Sequence, residues 1–183
     1  MEQPIIDQDE ILHEDAPLYA TFWERVGASF VDGLIMIPVI IFTYYNSMSL
    51  KSLPLALVAG VIPTVYKVYM EGKYGATIGK RNMKIIVRTA GGETIGMQQA
   101  LVRNSLYIIA MVVSLIDSII VFGSPGFEDV SSFGELSAYQ NIYGMSFGFL
   151  PSLVILISVL FVAFDKHKQA LHDKIAKTYC CIR

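Results

Sequence analysis

The stretch Val26-Gly27-Ala28-Ser29-Phe30-Val31-Asp32-Gly33-Leu34-Ile35-Met36-Ile37-Pro38-Val39-Ile40-Ile41-Phe42-Thr43-Tyr44-Tyr45 decides the fold. Apart from Ser29, Asp32 and Thr43 it is apolar, and two tyrosines close its far edge. A bilayer core about 30 Å thick needs roughly 17–25 such residues in helix. Three further runs have that length: 53–70, with Pro54, Pro63 and Lys67; 105–122, with Asp117 inside it; and 145–164, with Pro151. Spans tolerate proline because neighbouring helices satisfy the freed carbonyls. The chain of 183 residues is 54% hydrophobic and only 16% charged, against about 25% charged in an ordinary soluble domain. The expected fold is therefore an all-α membrane protein, a bundle of four transmembrane helices at about 26–45, 53–70, 105–122 and 145–164.

The basic residues set the orientation. With four spans, both ends and the loop between the second and third share one side. That side holds 13 of the 14 basic residues, and only Lys51 lies opposite. The loop 123–144 has no Lys or Arg but carries Glu128, Asp129 and Glu135. The positive-inside rule then makes both termini cytoplasmic. The net charge of −2 is a sum of sorted parts, with no basic excess that would suggest nucleic acid. Residues 1–24 contain seven acids and no Lys or Arg, the reverse of a secretory signal. Residues 1–18 read as a disordered acidic cytoplasmic tail ahead of a membrane domain over 19–183.

The cytoplasmic connection has features of its own. Met83-Lys84-Ile85-Ile86-Val87-Arg88 alternates in part, Thr89-Ala90-Gly91-Gly92 reads as a turn, and Glu93-Thr94-Ile95 returns. This predicts a small β-hairpin between helices two and three. Residues 98–104 then begin helix three as an interfacial segment.

Several short motifs are rejected on spacing. Gly75-Ala76-Thr77-Ile78-Gly79-Lys80-Arg81 has three residues between its glycines and Arg81 after the lysine. A phosphate loop needs four, followed by a hydroxyl. The expected role is a turn with Lys80 and Arg81 near anionic headgroups, each worth about 1 kcal/mol at the surface. His167 and His172 are five apart, off a common helical face, and Lys166, Lys168 and Lys174 would oppose a cation, so no metal is expected. Cys180 and Cys181 give no disulfide framework, and a prenylation box does not usually end in arginine. No acid, base and nucleophile converge, so neither catalysis nor a cofactor is expected.

Asp32 is the informative residue. It lies seven positions after Arg25 on the same helical face, about 10 Å along the axis. An ionisable group inside a span costs at least about 2.5–3.5 kcal/mol at the centre. Asp32 should face the bundle interior and seek a partner, with Lys67 and Arg103 as candidates. It reads either as an ion- or proton-linked carboxylate or as a buried polar bolt between helices. Asp117, 14 positions beyond Arg103, is either a second relay point or a residue of the outer interface.

Three blocks in order resemble the RDD family, bacterial membrane proteins named for one arginine and two aspartates. The first, Phe22-Trp23-Glu24-Arg25-Val26-Gly27-Ala28-Ser29-Phe30-Val31-Asp32, supplies Arg25 and Asp32. The second is the Gly75 to Arg81 segment quoted above. The third, Gln169-Ala170-Leu171-His172-Asp173-Lys174-Ile175-Ala176-Lys177-Thr178, makes Asp173 the second aspartate. Asn82-Met83 stands where members more often carry leucines, and Lys177 where glycine is common. The resemblance implies a polytopic inner-membrane fold and a role in transport, with cation–proton exchange suggested for some members.

Two functions follow as expectations. One is a small transporter, or a transporter subunit, that couples a cation or proton through a relay of Asp32, Asp117 and Lys67. The other is a non-transporting accessory or scaffold subunit in which Arg25, Asp32 and Asp173 form a polar network. Either would sit in the bacterial inner membrane, with the lipid bilayer and a second copy or other membrane proteins as partners.

Overall fold

The computed structural model describes residues 18–144, 150–165 and 168–183. The acidic tail, apart from Leu18, lies outside the described residues, as do the start of the fourth span and His167.

Helix α1, Phe22–Tyr45, starts one turn earlier than its apolar run because its cap is built into the sequence. Thr21 accepts from the Glu24 amide, and the Glu24 carboxylate accepts from the Thr21 amide at 2.7 Å. This reciprocal box satisfies two otherwise orphaned donors. A π-helical turn, Asn46–Leu50, extends α1 directly. Helix α2 is Leu53–Tyr74, with Pro54 in its first turn and Pro63 within it. It runs past residue 70 to Gly75, whose φ of +69° closes the helix at little cost for a residue without Cβ.

A short helix, α3 (Ile78–Asn82), and a strand, β1 (Ile85–Thr89), follow. The interfacial segment forms a separate helix, α4 (Met97–Arg103), joined at Asn104 to α5 (Ser105–Phe122). Loop 123–144 is largely helical, with α6 at Phe133–Tyr143 capped by Ser132 and Glu135. The chain ends in α7 (Leu150–Phe164), α8 (Leu171–Ile175) and strand β2 (Thr178–Ile182).

Three helical stretches among the described residues are long and apolar enough to cross a membrane: Phe22–Leu50, Leu53–Tyr74 and Ser105–Phe122. The described part of α7 has 15 residues, about 22 Å of helix. Large apolar side chains such as Phe30, Leu34, Ile41, Val58, Ile62 and Ile109 face outward along these helices. A soluble monomer rarely shows so much contiguous apolar surface, so they read as lipid-facing.

The expected hairpin is corrected. β1 pairs along its whole length with β2, antiparallel, from Ile85 opposite Ile182 to Thr89 opposite Thr178. The predicted return strand contributes one bridge, Arg88 to Thr94. The reason is burial: Ile85 and Val87 need apolar cover, and Cys180 supplies it, whereas residues 91–94 are exposed. Residues 18–20 pair with the far edge of β2. The core beneath this sheet comprises Ala20, Ala28, Ile85, Val87, Ile95, Ala100 and Cys180. Both cysteines are buried and free. A separate small core of Val121, Phe127, Val130 and Leu136 lies at the other end, under α6.

Candidate functional site

The helix ends beside the sheet converge on a buried ion network. Asp173, fully buried on α8, meets Nη1 of Arg25 at 2.5 Å and Nη2 of Arg103 at 2.8 Å. Its Oδ2 also accepts from the Ala170 amide. Its Oδ1 lies against Arg103 and His172, and among the described residues no aligned hydrogen bond reaches it. Arg25 reaches from α1 to the carbonyls of Ala20 and Lys168 as well. Arg103, at the end of α4, meets Glu71 of α2 at 3.1 Å and donates to Thr178 of β2 at 2.9 Å. Glu71, fully buried, is also bonded by Lys80 of α3 and by Asn104 at 2.9 Å. Four segments far apart in sequence are thus tied together by two carboxylates.

The charge states follow from this packing. Burial alone would raise the Asp173 carboxyl, but Arg103 and Arg25 hold it well below the usual carboxylate range. Burial opposes the charge on Arg103, yet Asp173 and its neighbours push its guanidinium up. His172 moves the other way: burial, aided by Arg103 and Lys67, takes its imidazole down to about 3 and outweighs Asp173. It is therefore neutral, bonded to Ser158 of α7 through Nδ1 at 2.9 Å and facing Asp173 through Nε2 at 3.2 Å. A neutral ring brings a dipole, not a charge, to Asp173.

Asp32 belongs to a second cluster. Its Oδ1 accepts from the Tyr66 hydroxyl at 2.9 Å and the Gly79 amide at 2.8 Å, and its Oδ2 from the Thr77 hydroxyl at 2.6 Å. The basic partner expected for it is replaced by neutral donors. Arg103 is engaged by Glu71 and Asp173, and Lys67 places its ammonium 3.3 Å from the centre of the Tyr107 ring. The second sequence block now has a physical reading. Thr77 caps α3 and holds Asp32, Gly79 packs against α1, and Lys80 turns inward to Glu71. Of the two basic residues expected at headgroups, only Arg81 is exposed, near the Tyr74 ring.

Asp117 lies on α5 beside Gly144, about 18 Å along the axis from Ser105. The structure thus joins Arg25 to Asp173 and links both to Asp32 through the segment 77–80. Sequence reading missed Glu71, Asn104, Tyr66 and Thr77. Glu71 does carry a signal, four residues after Lys67 at the end of an apolar run. Lys177, where glycine is common in the family, has a φ of +51°, in the left-handed region that glycine adopts freely. Among the described residues, no group of three or more His, Cys, Asp or Glu side chains is placed to hold a metal.

No curated protein and no solved structure matches the sequence. The RDD family matches residues 19–177, a range that contains Arg25, Asp32 and Asp173, and the chain belongs to that family.

Proposed function

We propose that this RDD protein is a non-transporting accessory or scaffold subunit of a membrane protein complex. It crosses the bacterial inner membrane four times, with α7 and the residues before it as the fourth span and both termini cytoplasmic. The sorting of basic residues supports that orientation. Its partners are the lipid bilayer and other membrane proteins or a second copy, and it has no enzymatic role.

The observation that carries this reading is the occupancy of Asp32. Both its oxygens accept hydrogen bonds, and these dock α3 onto α1 and α2. A carboxylate so engaged serves as a bolt. The rival reading, a transporter coupling a cation or proton through Asp32, draws support from that residue's partial exposure inside an apolar helix.

Reconstitution separates the two. Wild type and Asp32→Asn are placed in vesicles under Na⁺ and proton gradients, with an internal pH dye. The scaffold reading expects no flux above empty vesicles from either protein, and a lower melting temperature for the variant. Flux in wild type that vanishes in a normally folded Asp32→Asn would overturn it.

A further inference from the structure

Inside the network lies a cavity of about 40 Å³. Arg25, Lys67, Lys80 and Arg103 contribute to its wall, with Ser29, Tyr107 and His172. Among the described residues no carboxylate lines it, although Glu71 and Asp173 bond Arg25, Lys80 and Arg103. We propose that this cavity binds one small monovalent anion of chloride size.

The charge count argues for an occupant. Among the described residues four cations meet there, and the carboxylates bonded to them are Glu71 and Asp173. The cations thus outnumber those carboxylates, and a cluster of like charge partly withdrawn from water favours an anion in its midst. His172 is neutral and does not alter the balance.

The donors agree with the count. Arg25 and Arg103 spend most of their N–H groups on protein oxygens. The Lys67 ammonium, by contrast, lies over a ring face, and an ammonium has three donors to direct. The volume sets the size: at roughly 10–15 Å³ per water-sized occupant, there is room for a halide and a water but not for a phosphate ester.

The test uses the full chain in lipid nanodiscs and radiolabelled chloride. Binding should saturate at one ion per chain, yield to bromide and not to gluconate, and weaken at least about tenfold in Lys67→Gln. Lys67→Gln loses a ring contact rather than a direct ion pair, and its melting in gluconate shows whether it folds. Wild type alone supplies a second measurement: at equal ionic strength, chloride should raise its melting temperature over gluconate by about 2–4 °C. Absence of saturable binding, binding unchanged in a folded Lys67→Gln, or equal melting in the two anions each overturns the proposal. If Lys67→Gln does not fold, the wild-type binding and melting results decide.

Discussion

Asp173 is fully buried between Arg25 and Arg103, whereas Asp32 lies only partly buried among a tyrosine, a threonine and a backbone amide. Asp173 joins elements 148 residues apart in the chain and answers charge with charge. Asp32 spans 45 residues to Thr77 and answers neutral donors. The difference lies in what each leaves behind. Removing Asp173 takes from buried Arg25 the carboxylate it pairs with and leaves buried Arg103 with Glu71 alone. Neutralising Asp32 strands donors that bear no charge.

The largest effect should therefore fall on Asp173. Breaking a buried ion pair by removing one partner costs about 3–5 kcal/mol, so Asp173→Ala should yield little folded protein in detergent. Asp32→Asn keeps one acceptor oxygen and should cost about 1–3 kcal/mol, the penalty for leaving buried polar groups poorly paired. Denaturant unfolding of both variants measures the ratio, and equal losses would erase the distinction. Acid acts in the same direction. The Asp173 carboxyl is held low in the fold, so its contribution is complete above the ordinary carboxylate range and is lost as pH falls toward the folded value.

The same contrast explains what could be read from the chain. Three of the spans are legible because long apolar runs admit few alternatives, and the family blocks point to Arg25, Asp32 and Asp173. The partners were not legible. Asp32 was expected to need a cation, since an acid in an apolar run reads as a charge to be balanced. Its real partners are hydroxyls and an amide brought in by α3, a helix of five residues with no periodicity to announce it. Local spacing pairs β1 with its nearest return segment, but β2 wins because Cys180 covers Val87 and the exposed residues 91–94 do not. Local spacing predicts local pairing, and this sheet is a long-range one.

Two glycines sharpen the reading of Asp32 at intermediate cost. A Cβ on Gly79 would lie 2.0 Å from the Ala28 carbonyl and 2.8 Å from Asp32 Cγ, so α3 must move off α1. Gly33, one residue after Asp32, has open space around its Cβ position. Gly79→Ala should cost about 1–3 kcal/mol through overpacking, while Gly33→Ala should be neutral or stabilise by a few tenths through helix propensity. Thermal melting of the pair reads the difference. A harmless Gly79→Ala would mean that α3 is not docked on Asp32.

The smallest effect concerns His172, and it probes the Asp173 side of the comparison without disturbing the ion pairs. The folded imidazole titrates near 3 because it is buried beside Arg103, while in the unfolded chain it titrates near its ordinary value of 6.5. As pH falls below that ordinary value, the unfolded chain takes up a proton that the folded protein refuses. Stability is then lost on acidification at up to about 1.4 kcal/mol per pH unit, and the loss continues until the folded ring titrates. Between about pH 7 and 5.5 the integrated loss from this one group is about 1 kcal/mol. His172→Gln starts from a lower stability, since it disturbs the bond to Ser158, but it should lack this component of the slope. Unfolding free energies of both proteins across that window give the difference between their slopes. Identical slopes would show that the ring is protonated in the fold, adding a third cation beside Asp173.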